Sequence, residues 1–103
     1  MDSLTRDVKH ESERGELLKV LVDWGLEWMP FYEWRTQFQS RTDRRLSDDE
    51  LRFQLNYLEQ RGYAERKLLR AGRADIELLV VRATPKAVDL VTQVAAPDPG
   101  IAL

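Results

Sequence analysis

The 103-residue chain contains no cysteine and only one histidine, His10. The first absence excludes disulfides and thiolate metal sites, and the second excludes a metal cluster or proton relay built from several histidines. No apolar run reaches the roughly 18 residues needed to cross a bilayer, and no signal-peptide pattern opens the chain. The Gly-rich phosphate loop, G-x-S-x-G and H-E-x-x-H are also missing. We therefore expect a cytoplasmic protein that binds no membrane or cofactor and is not an enzyme.

Charge is unevenly distributed along the chain. The net charge is −2, but residues 31–82 hold eleven basic side chains against nine acidic ones, and ten of those eleven are arginines. Arginine suits bidentate contacts with phosphate or guanine, and it suits protein interfaces equally well. The pattern therefore favours an interaction surface in this part of the chain without deciding its partner.

Local patterns predict four helices, near residues 13–24, 31–39, 48–61 and 85–94. Ser47 and Glu50 have the spacing of a capping box at the start of the third helix, and Gly62 suits its end. Two strands are predicted near 63–70 and 76–83, joined by the turn A-G-R-A-D. Thr84 and Pro85 then fit the first positions of the last helix.

Apolar spacing indicates which side chains form the core. Leu51, Leu55 and Leu58 recur at helical spacing and predict the buried stripe of the third helix. Trp24 and Trp34 are expected in the core, and His10 is expected to be exposed. We divide the chain into a flexible or frayed arm at residues 1–12, a domain at 13–94 and a disordered tail at 95–103.

Two segments resemble parts of winged-helix regulators. The run L-R-F-Q-L-N-Y-L-E-Q-R-G-Y-A-E-R resembles their recognition helix and first wing strand, and V-R-A-T-P-K-A-V-D-L-V resembles their closing segment, with Ala87 in place of the usual glycine. The layout over roughly 13–94 is similar to small winged-helix proteins of Mu-like phages and prophages. The resemblance implies an α+β fold: a winged helix-turn-helix with a three-helix core, a two-stranded β wing and a C-terminal helix.

This fold implies a small transcriptional regulator that binds double-stranded DNA, and the resemblance to Mu-like phage proteins implies a phage or prophage origin. Bases would be read by Arg52, Asn56 and Gln60 of the third helix. Phosphates would be contacted from the preceding turn and the wing, by Arg41, Arg44, Arg45, Arg66, Lys67, Arg70 and Arg73. The alternative interpretation is that these cations have no ligand. They would then lie on a solvated loop and on an edge hairpin that charge protects from aggregation, and nearby acids would neutralise them.

A protein-interaction module is the alternative function. The third helix is predicted to expose Phe53 and Tyr57, which suits protein docking better than phosphate contact; both could instead pack against the wing or a second subunit. Trp28 is a further interface candidate, and Val88 and Val91 could join two copies in a homodimer. We place DNA ahead of a protein partner because the arginines fall where a winged helix meets the DNA backbone.

Overall fold

The computed structural model describes residues 2–72 and 76–103, with side chains described from Val8 onward except at Ala71. Within these residues, the chain forms four helices and a three-stranded antiparallel sheet, a mixed α+β architecture compatible with a winged helix-turn-helix. The elements are α1 (Asp2–Trp24), β1 (Met29–Pro30), α2 (Phe31–Thr42), α3 (Asp48–Gln60), β2 (Ala64–Ala71), β3 (Ile76–Ala83) and α4 (Pro85–Val91). No helix in this described part is both long and apolar enough to cross a membrane.

The first helix begins at Asp2, eleven residues before the predicted start at Glu13. Residues 2–12 contain no proline or glycine that would end a helix. The helix stops at Gly25, whose φ of 92° is left-handed. Trp24, expected in the core, is 42% exposed because it is the last helical residue and lies beyond the end of the core.

The sheet has the order β1-β3-β2, which makes β3 its central strand. The register of the predicted hairpin runs from Ala64↔Ala83 to Ala71↔Ile76, so its strands lie within one residue of the sequence-based bounds. The sequence did not predict β1, which pairs Met29 with Val81 and Pro30 with Val80. Val80 and Val81 point to opposite faces of β3 and both are buried, which accounts for the apolar residues on both faces of this strand.

The core lies between the first three helices and the sheet. Leu51, Leu55 and Leu58 are buried, as predicted for α3. Trp34 of α2 is also buried, and its indole N–H donates to the carbonyl oxygen of Leu17 in α1 at 3.0 Å. That bond satisfies the only polar atom of the side chain, so the whole indole can fill the core.

Residues 95–103, which we name the C-terminal strap, contain no helix or strand but pack on the domain. Ile101 is only 5% exposed, and the amide of Ala102 donates to the carbonyl oxygen of Glu11 at 3.0 Å. This segment, expected to be a disordered tail, thus has one side chain, Ile101, in the core cluster although it lacks secondary structure. The division into domains at residues 12 and 94 stays a prediction.

Candidate nucleic-acid interface

The connection between α2 and α3 is a tight turn at residues 43–47. Asp43 takes a left-handed conformation with φ of 60°, and its amide donates to the carbonyl oxygen of Gln39 at 2.8 Å. Leu46 is buried and fixes the turn to the core. Arg44 and Arg45 precede it and are exposed. The local sequence therefore presents two guanidinium groups in front of α3.

The acidic start of α3 is largely engaged within the protein. The predicted capping box is present: the amide of Glu50 donates to Ser47 Oγ, and the amide of Ser47 donates to Glu50 Oε1, both at 3.2 Å. The backbone bond from Ser47 is the main reason that the pKa of Glu50 is lowered. Asp48 forms an ion pair with Arg35 of α2. Of the three acids, Asp49 is the one without such a role among the described contacts.

One row of α3 side chains points away from the core. We name it the recognition stripe, and it consists of Arg52, Phe53, Asn56 and Gln60, all exposed. Tyr57, expected on the same face, is half-buried instead. The Arg14 guanidinium stacks 3.7 Å from the centre of its ring. The structure thus brings the three predicted base-reading residues together and withdraws Tyr57 from the stripe.

Most of the predicted phosphate-contacting arginines have carboxylate partners. The ion pairs are Arg41–Asp23 at 2.6 Å, Arg44–Glu13 at 4.0 Å, Arg66–Glu59 at 2.9 Å and Arg70–Glu77 at 3.5 Å. Arg66 also donates to Asn56 Oδ1. Among the described side chains, Arg45, Arg52 and Lys67 have no carboxylate within 4.0 Å. Arg73 lies outside the described residues.

Three of the cations predicted to contact DNA thus have no carboxylate partner among the described side chains, and they come from three different elements. Arg45 comes from the turn, Arg52 from α3 and Lys67 from β2. The Arg52 guanidinium lies 5.3 Å from the centre of the Phe31 ring, and the Lys67 ammonium lies 5.1 Å from the Trp28 ring. Aromatic faces hold cations without neutralising them. These two side chains are thus oriented and still carry their charge at the surface.

A buried polar network that sequence reasoning missed joins α1 to α3. Arg14 Nε donates to Gln54 Oε1 at 2.8 Å, and Gln54 Nε2 donates to Glu13 Oε2 at 3.3 Å. All three side chains are buried. The available signal was the position of Gln54, three residues after Leu51 and four before Leu58, which places a polar residue on the buried stripe. Buried polar groups need partners, so the network fixes how α3 sits on α1.

A shallow cavity of about 280 Å³ lies beside the stripe, where α1 passes the start of α3. We name it the acidic groove; its lining residues are His10, Glu13, Asp49, Glu50, Phe53 and Gln54. Phe53 is 51% exposed and its ring centre lies 5.4 Å from that of His10. His10 is therefore half-buried rather than exposed as expected.

The remaining interface candidates are partly covered by the protein itself. Trp28 is half-buried, with the Arg82 guanidinium 4.3 Å from the centre of its ring. Val88 and Val91 of α4 are half-buried, and Val91 packs against the core. Their roles at an interface stay predictions.

Comparison with known proteins shows a similarity of fold. No protein-family model matches the sequence, and no curated protein matches it. A solved structure, that of the candidate transcriptional regulator TA0346 from Thermoplasma acidophilum, superposes with a TM-score of 0.67. The two sequences are 19% identical, and the match covers 84% of this chain and 77% of that one. The comparisons lend no support to the resemblance to Mu-like phage proteins. At this identity, the likeness shows that the two proteins share a fold.

Proposed function

We propose that this chain is a winged helix-turn-helix protein that binds double-stranded DNA and acts as a small transcriptional regulator. The observation that carries the proposal is the row formed by Arg52, Asn56 and Gln60 on the exposed face of α3. Successive members are four residues apart, so they follow one another at about 6 Å along the helix axis. Arginine can read guanine, and asparagine and glutamine can read adenine, in a major groove that admits one helix.

Two exposed cations outside the row support the same role. Arg45 in the turn and Lys67 in the wing are exposed and unpaired with carboxylates among the described contacts. In this arrangement they contact phosphates on either side of the groove, which positions the helix but does not select a sequence. The likeness to a candidate transcriptional regulator is consistent with this role.

The acidic side chains of α3 shape the kind of binding we expect. The helix carries four acids and one base, Arg52. Its negative charge opposes phosphate, while Asp48 and Glu50 are engaged by Arg35 and Ser47. Surface ion pairs are typically worth about 0–1 kcal/mol, so paired arginines can exchange a carboxylate for a phosphate. We therefore expect weak binding to arbitrary DNA and a clear preference for a particular site.

The experiment begins with selection from a randomised duplex library at low salt, followed by anisotropy titrations of the enriched duplex. Replacing Arg45 with alanine should weaken binding to all duplexes about equally, and it should reduce the slope of log K against log salt by about 0.9. Replacing Asn56 with alanine should instead relax the preference at one base pair, by about 1–3 kcal/mol. Gln39→Ala, at an exposed position of α2, is the matched control. Failure to enrich any sequence, with no binding at low salt, refutes the proposal.

A protein-interaction module remains the second candidate, and one observation favours it. The half-exposed ring of Phe53 borders the acidic groove, which would repel phosphate but accept a basic peptide. Selection from a displayed peptide library should then enrich basic sequences whose binding is lost in Phe53→Ala. Under the DNA proposal the library yields no such sequences, and Phe53→Ala changes only the contact with one base pair.

We also retain the homodimer as part of the proposal, since regulators of this kind commonly read two half-sites. The apolar side chains that could join two copies are Val88 and Val91 of α4, together with Val94 beyond its end. Sedimentation at micromolar concentration decides the question. A single species of 12.1 kDa, the mass of one chain, would exclude the dimer.

A further inference from the structure

The C-terminal strap packs closely against α1 and α3. A Cβ atom at Gly15 of α1 would lie 1.9 Å from the carbonyl oxygen of Ala102. A Cβ atom at Gly100 of the strap would lie 1.9 Å from the hydroxyl oxygen of Tyr57 on α3. The contact at Gly15 is with backbone, so Gly15 is needed for the strap to lie where it does, whereas the contact at Gly100 is with the end of a side chain. The strap consequently borders the recognition stripe on its α1 side.

Asp98 is the one acidic side chain of the strap, and it is held in place. Its carboxylate accepts hydrogen bonds from Tyr63 Oη at 2.8 Å and from the amide of Gly100 at 2.9 Å. Burial alone would raise the pKa of Asp98, but these two bonds, together with the positive charges of Arg61 and Lys86, lower it. The carboxylate is thus a fixed negative charge on this flank of α3.

Three cations lie near this part of the strap, each stacked on Tyr57 or Tyr63. The Lys86 ammonium lies 4.7 Å from the centre of the Tyr63 ring, whose hydroxyl binds Asp98. The Arg61 guanidinium lies 5.1 Å from the centre of the Tyr57 ring, and Arg14 stacks on that ring as well. Two hydrogen bonds connect these residues. Lys86 Nζ donates to the carbonyl oxygen of Arg61 at 2.6 Å. Arg14 Nη1 donates to the carbonyl oxygen of Gly100, in the strap, at 3.1 Å.

We propose that the strap is a displaceable cover over a phosphate-binding surface formed by Arg14, Arg61 and Lys86, where Asp98 occupies the place of a DNA phosphate. The inference rests on the proposed function, because it extends the same DNA interface to the other flank of α3. Displacement of the strap removes one carboxylate from this surface. It also frees the Arg14 guanidinium from the carbonyl oxygen of Gly100.

The strap is suited to such exchange because isolated hydrogen bonds and one buried side chain hold it, without a ladder of backbone bonds. It contains no helix or strand, and Ile101 is its one buried side chain. Segments of this kind open locally at a lower free energy than the core does. A phosphate would offer the cations a charge of the same sign as the departing carboxylate. The closed strap therefore lowers DNA affinity, and a bound phosphate competes with it.

Two variants of the full chain test the cover. Asp98→Asn removes the charge while keeping an oxygen that can accept from the Gly100 amide, and Ile101→Ala loosens the strap without changing any charge. Glu27→Gln, at an exposed position between α1 and β1, is the control for a change in net charge. The probes are a fluorescein-labelled duplex of about 20 base pairs and inorganic tripolyphosphate, each titrated at several salt concentrations.

We expect both strap variants to bind the duplex roughly two- to fivefold more tightly than the control, which is the scale of one surface charge contact. Lys86→Gln added to Asp98→Asn should remove most of that gain. If the wild type binds the duplex and neither strap variant exceeds the control, the cover is refuted while the proposed function stands. If no protein binds duplex but the strap variants bind tripolyphosphate better than the control, the phosphate surface stands and the DNA function fails. Circular dichroism checks that Ile101→Ala is folded, and Asp98→Asn alone decides the matter if it is not.

Discussion

Replacing Gly15 with alanine should destabilise the protein, although the local effect of the change has the opposite sign. Gly15 lies inside α1, where exchange of glycine for alanine normally stabilises a helix by about 1 kcal/mol. Here the added Cβ would lie 1.9 Å from the oxygen and 2.8 Å from the carbon of the Ala102 carbonyl. Both atoms belong to backbone, so the clash is relieved only if the strap leaves its seat.

The interactions of the strap set the size of the effect. Displacement of the strap breaks two hydrogen bonds. The bond from the Ala102 amide to the Glu11 carbonyl oxygen is worth about 0.5–1.5 kcal/mol. The bond from the Arg14 guanidinium to the Gly100 carbonyl oxygen is worth about 1.5–3 kcal/mol. Displacement also exposes Ile101, whose burial is worth about 1.5–3 kcal/mol. A partial shift of the strap retains some of these contacts, and the gain in helix propensity offsets part of the loss. We expect a net decrease of about 2–4 kcal/mol in the free energy of unfolding.

Urea unfolding followed by circular dichroism measures this change. Ser12→Ala, at an exposed position of α1, is the control and should be neutral or slightly stabilising. Deletion of residues 99–103 removes the Ala102 carbonyl, so Gly15→Ala in the shortened chain should raise the free energy of unfolding by about 1 kcal/mol. The reasoning is refuted if Gly15→Ala in the full chain is as stable as the wild type or more so.

Two further predictions concern the capping box and Tyr63, whose hydroxyl donates to Asp98 of the strap. Ser47→Ala should lower the free energy of unfolding by about 1 kcal/mol, because the amide of Glu50 loses its acceptor; an unchanged urea midpoint relative to the exposed control Ser40→Ala would contradict this. Burial, followed by the bond to Asp98, raises the pKa of Tyr63 from 10.0 to about 12. The stabilisation linked to this shift is complete below pH 10 and is lost as the pH rises towards 12, since only the unfolded chain readily releases that proton. Tyr63→Phe should therefore show a shallower loss of stability than the wild type across this pH range, and equal slopes would argue against the shift.

The sequence predicted best those elements whose determinants are local. The capping box of Ser47 and Glu50 and the left-handed Gly62 define α3, and both are present in the structure. Thr84 caps α4 as expected, with its hydroxyl accepting from the amide of Ala87 at 3.3 Å. In each case the deciding residues lie within four positions of one another, so a short window of sequence contains the physical cause.

The features that escaped prediction depend on contacts between distant segments. The two-residue strand β1 forms where Met29 pairs with Val81. The strap packs on the domain through the buried side chain of Ile101. Neither partner can be identified from the local pattern. The same limit applied to Trp24, whose helical spacing suggested burial although the core ends before it.

The sequence predicted which residues form the candidate site, but not which of its cations are paired with carboxylates. Arg52, Asn56 and Gln60 do share an exposed face, as helical periodicity required. Which arginines carry a neutralising partner depends on pairs such as Arg41 with Asp23, which only the tertiary structure brings together. The sequence therefore indicated the surface. Of the described cations predicted to contact DNA, the fold leaves Arg45, Arg52 and Lys67 without a carboxylate partner among the described side chains.

Chemical-shift mapping by NMR tests the central claim most directly. The ¹⁵N-labelled chain would be titrated at low salt with the duplex enriched by selection. The account predicts that perturbations concentrate in the turn at residues 43–47, along the recognition stripe and in the wing, and that the side-chain amide signals of Asn56 and Gln60 move with them. Perturbations confined to the acidic groove at His10, Glu13 and Asp49, or none at all, would contradict DNA binding through α3.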